Sequence, residues 1–123
     1  MAVTLANPMP LTFNSVAKSL PRINQDNYGS EYYLLEATQS FRLKIRHSTE
    51  SVQKDGTQFD RHNVELTHTV LPTSTTPTIV TQTYMVFRDL PTGTTPANLG
   101  YVSGALTGLM TSDNVGALFG WVN

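Results

Sequence analysis

Phe41, Leu43 and Ile45 alternate with Arg42, Lys44 and Arg46. A period of two puts the apolar set on one face of a β-strand and the cations on the other. The stretch Arg61–Val70 repeats the design: Val64, Leu66 and Val70 share a face opposite Arg61, Asn63, Glu65 and Thr67. In Ile79–Leu90, Met85 and Phe87 lie opposite Gln82, Tyr84, Val86 and Arg88. Lys54-Asp55-Gly56 is a turn signal between the first two runs. Three consecutive antiparallel strands are therefore predicted, each with one apolar face and one polar face.

The flanking segments are shorter. Val3–Leu5 and Leu11–Phe13 alternate weakly near Pro8 and Pro10, as edge strands or bends do. Asn14-Ser15 predicts a turn into a second arm over Val16–Ile23, and the turn-rich run Asn24–Gly29 predicts a loop. Glu31–Ala37 fits a buried strand or one helical turn, and its aromatics favour the strand. Beyond Leu90 the period lengthens. Thr95-Pro96 is an N-cap followed by proline at the first helical position. Leu99, Val102, Leu106, Leu109 and Met110 then follow helical spacing, so a helix is expected over Pro96–Met110. Thr111–Asn114 interrupts it and caps a second helix with Val115, Leu118, Phe119 and Val122 as its stripe. Gly100, Gly104 and Gly108 leave one face of the first helix bare, at a cost of up to about 1 kcal/mol each relative to Ala. Close approach of another backbone offsets that cost; a loose helix on a tolerant surface is the plainer alternative.

The pattern gives an α+β class: an N-terminal β-hairpin (1–23), an antiparallel sheet of about five strands (31–90) and two C-terminal α-helices (96–122). The 123 residues fit one domain, 1–123. Two short helices cover only part of such a sheet. A homodimer that continues the sheet and lays each helix pair on its partner solves the problem. Charged residues, at 14%, are scarce against about 25% for ordinary domains. That also favours burial against other chains.

Composition removes several classes of function. Cysteine is absent, which excludes disulfides and thiolate chemistry. No apolar run is long enough for a membrane helix, and the N-terminus lacks the pattern of a signal peptide. There is no nucleophile elbow, no phosphate-binding loop and no dinucleotide fingerprint. No enzyme is expected. His62 and His68 are six residues apart on one strand, about 20 Å, too far to share a metal; structural roles are expected. Asp55 and Asp60 flank a hairpin loop and read as solvated. No cofactor is called for, beyond a weak case for a divalent cation held between subunits by Asp26, Glu31 or Glu50.

The net charge of −1 does not itself call for a polyanion. Its distribution matters more: no Lys or Arg follows Arg88. Arg42, Lys44 and Arg46 stand about 6.6–6.8 Å apart, near the phosphate spacing of a single strand. Tyr84 offers a stacking surface in the same layer, with Asn63, Thr67 and Gln82 as hydrogen-bonding groups. Such a set suits unpaired RNA. Glu65 is the nearest same-face acid and cannot neutralise all three cations. The other reading is a solvated face crossed by ion pairs such as Arg46 with Glu65.

The segments INQDNYGSEYYLLEATQSFRLKIRHSTESV, FDRHNVELTHTV and TQTYMVFR, in that order, resemble coat proteins of the small single-stranded RNA bacteriophages, the leviviruses, most closely those of Caulobacter RNA phages. The likeness spans residues of about 20–90. It implies an intertwined dimer with a continuous ten-stranded sheet, an icosahedral T = 3 shell, and a virion protein assembled in the bacterial host cytoplasm. It further implies a genome-facing sheet that binds an RNA stem-loop as a translational repressor. By register the RNA-binding positions are Arg42, Lys44, Arg46, Arg61, Asn63, Glu65, Thr67, Gln82, Tyr84 and Arg88. Tyr84 falls where related coats stack a loop base. The basic triplet replaces smaller polar residues of better-known coats, so nonspecific genome binding gains weight. A stand-alone cellular RNA-binding module is the alternative.

Overall fold

The computed structural model describes residues 4–123. Strands β1 (Met9–Phe13) and β2 (Val16–Leu20) form a hairpin. The strands β3 (Arg22–Asp26), β4 (Gly29–Leu35), β5 (Gln39–Thr49), β6 (Asp60–Val70) and β7 (Ile79–Asp89) form one antiparallel sheet in chain order. Helices α1 (Pro96–Leu109) and α2 (Ser112–Phe119) follow. The α+β class and both helices match the sequence pattern.

Phe13 pairs with Val16, leaving a two-residue turn at Asn14 and Ser15. Both have positive φ, 51° and 64°. That geometry matches the twist of the flanking strands, and Asn tolerates it well. The predicted Val3–Leu5 strand begins outside the described residues, and Thr4 and Leu5 join no strand.

The second arm differs from expectation. The sequence pattern predicts it over Val16–Ile23, with a loop at Asn24–Gly29. Instead the ladder stops at Leu20, and Arg22–Asp26 enters the main sheet as β3. Pro21 explains the break, because it has no N–H to continue the β2 ladder; its carbonyl accepts from the Tyr33 N–H at 3.0 Å. The polar residues Asn24, Gln25 and Asp26 read as loop because an edge strand is mostly exposed. Only Asn27 and Tyr28 remain as the turn, held by the Asp26 carboxylate accepting from the Tyr28 N–H at 2.7 Å. Between β5 and β6, Gly56 (φ 89°) closes the turn predicted at Lys54–Gly56, inside a longer loop.

Leu20, Tyr32, Phe41, Leu43 and Ile45 form the buried core, with Met9, Leu11 and Phe13 packed against it. The hairpin therefore roofs the apolar face of β4 and β5. Phe13 meets Phe41 edge-on at 5.0 Å between centroids. Each such fully buried side chain contributes roughly 1.5–3 kcal/mol. Lys18 of β2 bonds Glu36, just beyond β4, at 2.9 Å. Gly29 sits so close to β5 that a methyl group in its place would stand 2.2 Å from the Ile45 carbonyl oxygen.

Thr95 caps α1 by accepting from the Asn98 N–H at 3.1 Å, with Pro96 at the first turn. Thr111 caps α2 through Asn114 at 3.3 Å. Neither helix buries a residue. They lie on the hairpin side of the sheet, beyond the hairpin's cover. A hollow of about 760 Å³ separates Leu106, Met110 and Val115 from Val64, Leu66 and Met85. Phe119 and Trp121 are 90% and 93% exposed. Side chains built at Gly100, Gly104 or Gly108 would meet nothing within 4 Å. No helix among the described residues is long and apolar enough to cross a membrane.

Candidate nucleic-acid interface

Register places the polar face in rows. Arg42, Thr67 and Gln82 stand side by side across β5, β6 and β7. The next row is Lys44, Glu65 and Tyr84; then come Arg46, Asn63 and Val86; then Ser48, Arg61 and Arg88. All ten residues singled out from the sequence therefore lie on one face. The hairpin and the helices lie on the other. The face gathers because β5 and β6 pair over eleven residues each without a register shift, so every alternate side chain falls into line. Tyr84 is 67% exposed.

The electrostatics differ from expectation. The sequence pattern makes Glu65 the acid nearest the cations and Arg46–Glu65 the expected ion pair. Instead Arg42 bonds Glu31 of β4, and Lys44 lies 3.8 Å from the same carboxylate. Arg46 pairs with Asp26 of β3 at 3.4 Å. Arg88 and Arg61 share Glu50, at 2.8 and 3.8 Å. Glu65 makes no ion pair and no side-chain hydrogen bond among the described residues. The reason is geometric: β3 and β4 extend the same face, so Glu31 stands directly opposite Lys44 and diagonal to Arg42, and Asp26 lies in the row of Arg46. Five cations thus share the face with Asp26, Glu31, Glu50 and Glu65. The stripe is close to balanced, not strongly basic.

Two further contacts orient the cations. The Arg42 guanidinium lies 4.6 Å from the Tyr33 ring centroid, and that of Arg88 lies 3.7 Å from the centroid of Phe59. Each guanidinium is thus held by an aromatic ring as well as by its carboxylate, Glu31 for Arg42 and Glu50 for Arg88. Asp26 has its carboxyl pKa lowered, first by the Tyr28 N–H and then by Arg46, and so holds its charge beside the stripe. A hollow of about 600 Å³ opens between Arg46, Arg61, Asn63, Glu65 and Tyr84.

Asp26, Glu31 and Glu50, the acids considered for a divalent cation, are all engaged in these pairs. The ligand atoms that do converge belong to Asp60, His62 and Asp89, within 4.8 Å of one another on the opposite face. His62 Nε2 lies 3.0 Å from Asp89 Oδ1, an oxygen that makes no hydrogen bond. An imidazole with two carboxylates suits a zinc-like ion. Sequence spacing missed the set because Asp89 arrives from another strand. His62 also meets His47, Nδ1 to Nδ1 at 2.9 Å. His68 bonds Gln39 at 2.9 Å and packs at a tilt against both Phe13 and Phe41 in a three-ring cluster, a structural position.

No curated protein matches the chain. The family model for the phage phiCb5 coat protein does match it, over residues 6–90. That stretch runs from the N-terminal hairpin through β7, and includes every residue of the polar face. The match covers more than half of the chain and the whole sheet: the chain belongs to the phage phiCb5 coat protein family and is a structural protein of a phage capsid.

Proposed function

We propose that this coat protein forms homodimers joined along β7 into a ten-stranded sheet. Dimers close into an icosahedral shell of T = 3 symmetry with the polar face inward. That face holds single-stranded genomic RNA, and binding of an RNA stem-loop to it represses translation. The shell assembles in the cytoplasm of the bacterial host. The observation that carries this reading is the segregation of the two surfaces. Arg42, Lys44, Arg46, Arg61 and Arg88 share one bare sheet face with Tyr84, while the helices on the other side leave Leu106, Leu109, Phe119 and Trp121 more than half exposed. Apolar surface of that kind marks a protein contact. β7 is a long edge strand, paired among the described residues with β6 alone, which a symmetry mate can extend. A divalent cation at a subunit contact would find three converging ligands at Asp60, His62 and Asp89, where it would replace the His62–Asp89 contact.

The reading assigns the chain no reaction. Its test is electron microscopy of the full-length chain expressed without other phage components. Uniform shells containing host RNA are expected. A chain that stays monomeric and free of RNA at high micromolar concentration overturns the proposal.

A further inference from the structure

Glu65 is anomalous on its face. Each of the other three acids there neutralises at least one cation, and Glu65 none. A carboxylate aimed at a surface that receives phosphates costs affinity unless it meets a hydrogen-bond donor. Its neighbours indicate which donor. In the row Tyr84–Glu65–Lys44, the three side chains stand on adjacent strands of one face. Tyr84 is largely exposed, so a base can lie flat against its ring. Such a base turns one edge toward β6, where Glu65 stands, with Lys44 one strand further. Lys44 is only loosely held, 3.8 Å from Glu31. A shallow, open hollow beside Tyr84 and Glu65, lined also by Arg46 and Arg61, leaves room for a base there, with Lys44 next to Glu65 at its rim.

An ionised carboxylate only accepts hydrogen bonds. Among the four bases, guanine alone presents two adjacent donors, N1–H and the N2 amino group, on its Watson–Crick edge. The O6 acceptor beside them suits an ammonium. Adenine and cytosine each set a ring-nitrogen acceptor next to their amino group, which repels a carboxylate. Uracil flanks its one N–H with two carbonyls. Unpaired bases are commonly read on this edge while stacked on an aromatic ring.

We propose that Tyr84, Glu65 and Lys44 form a subsite for one unpaired guanine. Tyr84 supplies the stack, Glu65 accepts from N1–H and N2–H, and Lys44 donates to O6. The inference rests on the RNA-binding reading of this face and adds base identity to it. It gives the acid of the face a role that phosphate binding alone does not.

The test uses the full-length chain at nanomolar concentration, where shells do not form, and nine-nucleotide RNAs of sequence U4-X-U4. X is guanine, inosine, adenine, cytosine or uracil. The guanine oligonucleotide is expected to bind at least about tenfold tighter than those with adenine, cytosine or uracil. Inosine, which lacks the amino group, is expected to fall between. Glu65→Gln is expected to bring the guanine advantage below about twofold while binding of the all-uracil RNA is kept or improved. Tyr84→Phe, which preserves the ring, is expected to keep the preference. Equal binding of all five RNAs overturns the guanine subsite and leaves the RNA-binding face standing. A Glu65→Gln chain that keeps the full guanine preference also overturns it. Binding of none of the RNAs overturns the RNA-binding reading itself.

Discussion

The Arg42 guanidinium donates to Glu31 of β4, one step diagonally across the ladder, and not to Glu65 on the other side. Glu31 also holds Lys44, so one carboxylate restrains two of the three stripe cations. Phosphate must compete with that carboxylate for both. Partly exposed pairs of this kind are worth roughly 0.2–1 kcal/mol. Glu31→Gln is therefore expected to raise affinity for single-stranded RNA by up to about fivefold. Arg42→Ala and Lys44→Ala are expected to weaken binding to many sequences, each lowering the log–log salt slope by about 0.7. Filter binding across a salt series measures both effects. Unchanged slopes in the two alanine variants would make the stripe a solvated face.

Gly29 carries a different kind of constraint. It opens β4 opposite Arg46, where a Cβ would press on the Ile45 carbonyl oxygen at 2.2 Å. Backbone, unlike a flexible side-chain tip, cannot step aside without breaking the β4–β5 ladder. Gly29→Ala is expected to cost about 1–3 kcal/mol, the usual range for overpacking. Urea unfolding of matched chains reads it as a lower midpoint with little change in slope. An unshifted midpoint would mean that β4 can rise from β5 at this end without loss.

These two sites also mark how far the sequence could be read. Strict alternation in Phe41–Arg46, Arg61–Val70 and Ile79–Leu90 was enough to collect the ten polar-face residues, because a two-residue period survives any antiparallel pairing in register. Helix starts at Thr95 and Thr111 were legible because caps are local chemistry. Strand β3 was not legible: an exposed edge strand buries too little to show a pattern, and Asn24, Gln25 and Asp26 favour turns intrinsically. Missing β3, and the diagonal reach of β4, hid the partners Asp26 and Glu31. The charge balance of the face was misjudged for that reason.

Acid exposes the attachment of the hairpin. Glu36 has its pKa lowered by hydrogen bonds first from Lys18 and then from Gln39. A carboxylate whose pKa is lower when folded contributes stability above its unfolded pKa and loses it as pH falls through the folded value. The Lys18–Glu36 link between β2 and the end of β4 is therefore expected to be fully present above about pH 5 and to fade below about pH 4. Asp26 and Asp55 shift in the same direction, so acid sensitivity of the whole chain does not isolate the link. The comparison with Glu36→Gln does. Melting temperatures of the two chains are expected to differ near neutrality and converge at low pH. A gap that persists unchanged at pH 3 would assign the effect to packing of residue 36 and not to its charge.

The glycine row of α1 tests whether the helix is finished within one chain. Gly100, Gly104 and Gly108 repeat every four residues, and apart from the helix's own backbone nothing among the described residues comes within 4 Å of where their Cβ atoms would be. Within one chain, then, a side chain at Gly104 has room, and Leu is a better helix former than Gly by most of about 1 kcal/mol. Gly104→Leu is expected to keep or raise helix content by circular dichroism. If the bare face receives another subunit's backbone, the leucine side chain holds the two apart. Sedimentation is then expected to show loss of dimers or of shells, with Gly104→Ala intermediate because a methyl group intrudes less. Dissociation alongside intact helicity separates a packing seam from a helix that merely tolerates glycine. Shells of Gly104→Leu forming at normal yield and melting at the normal temperature would show that the row faces solvent in the assembled particle.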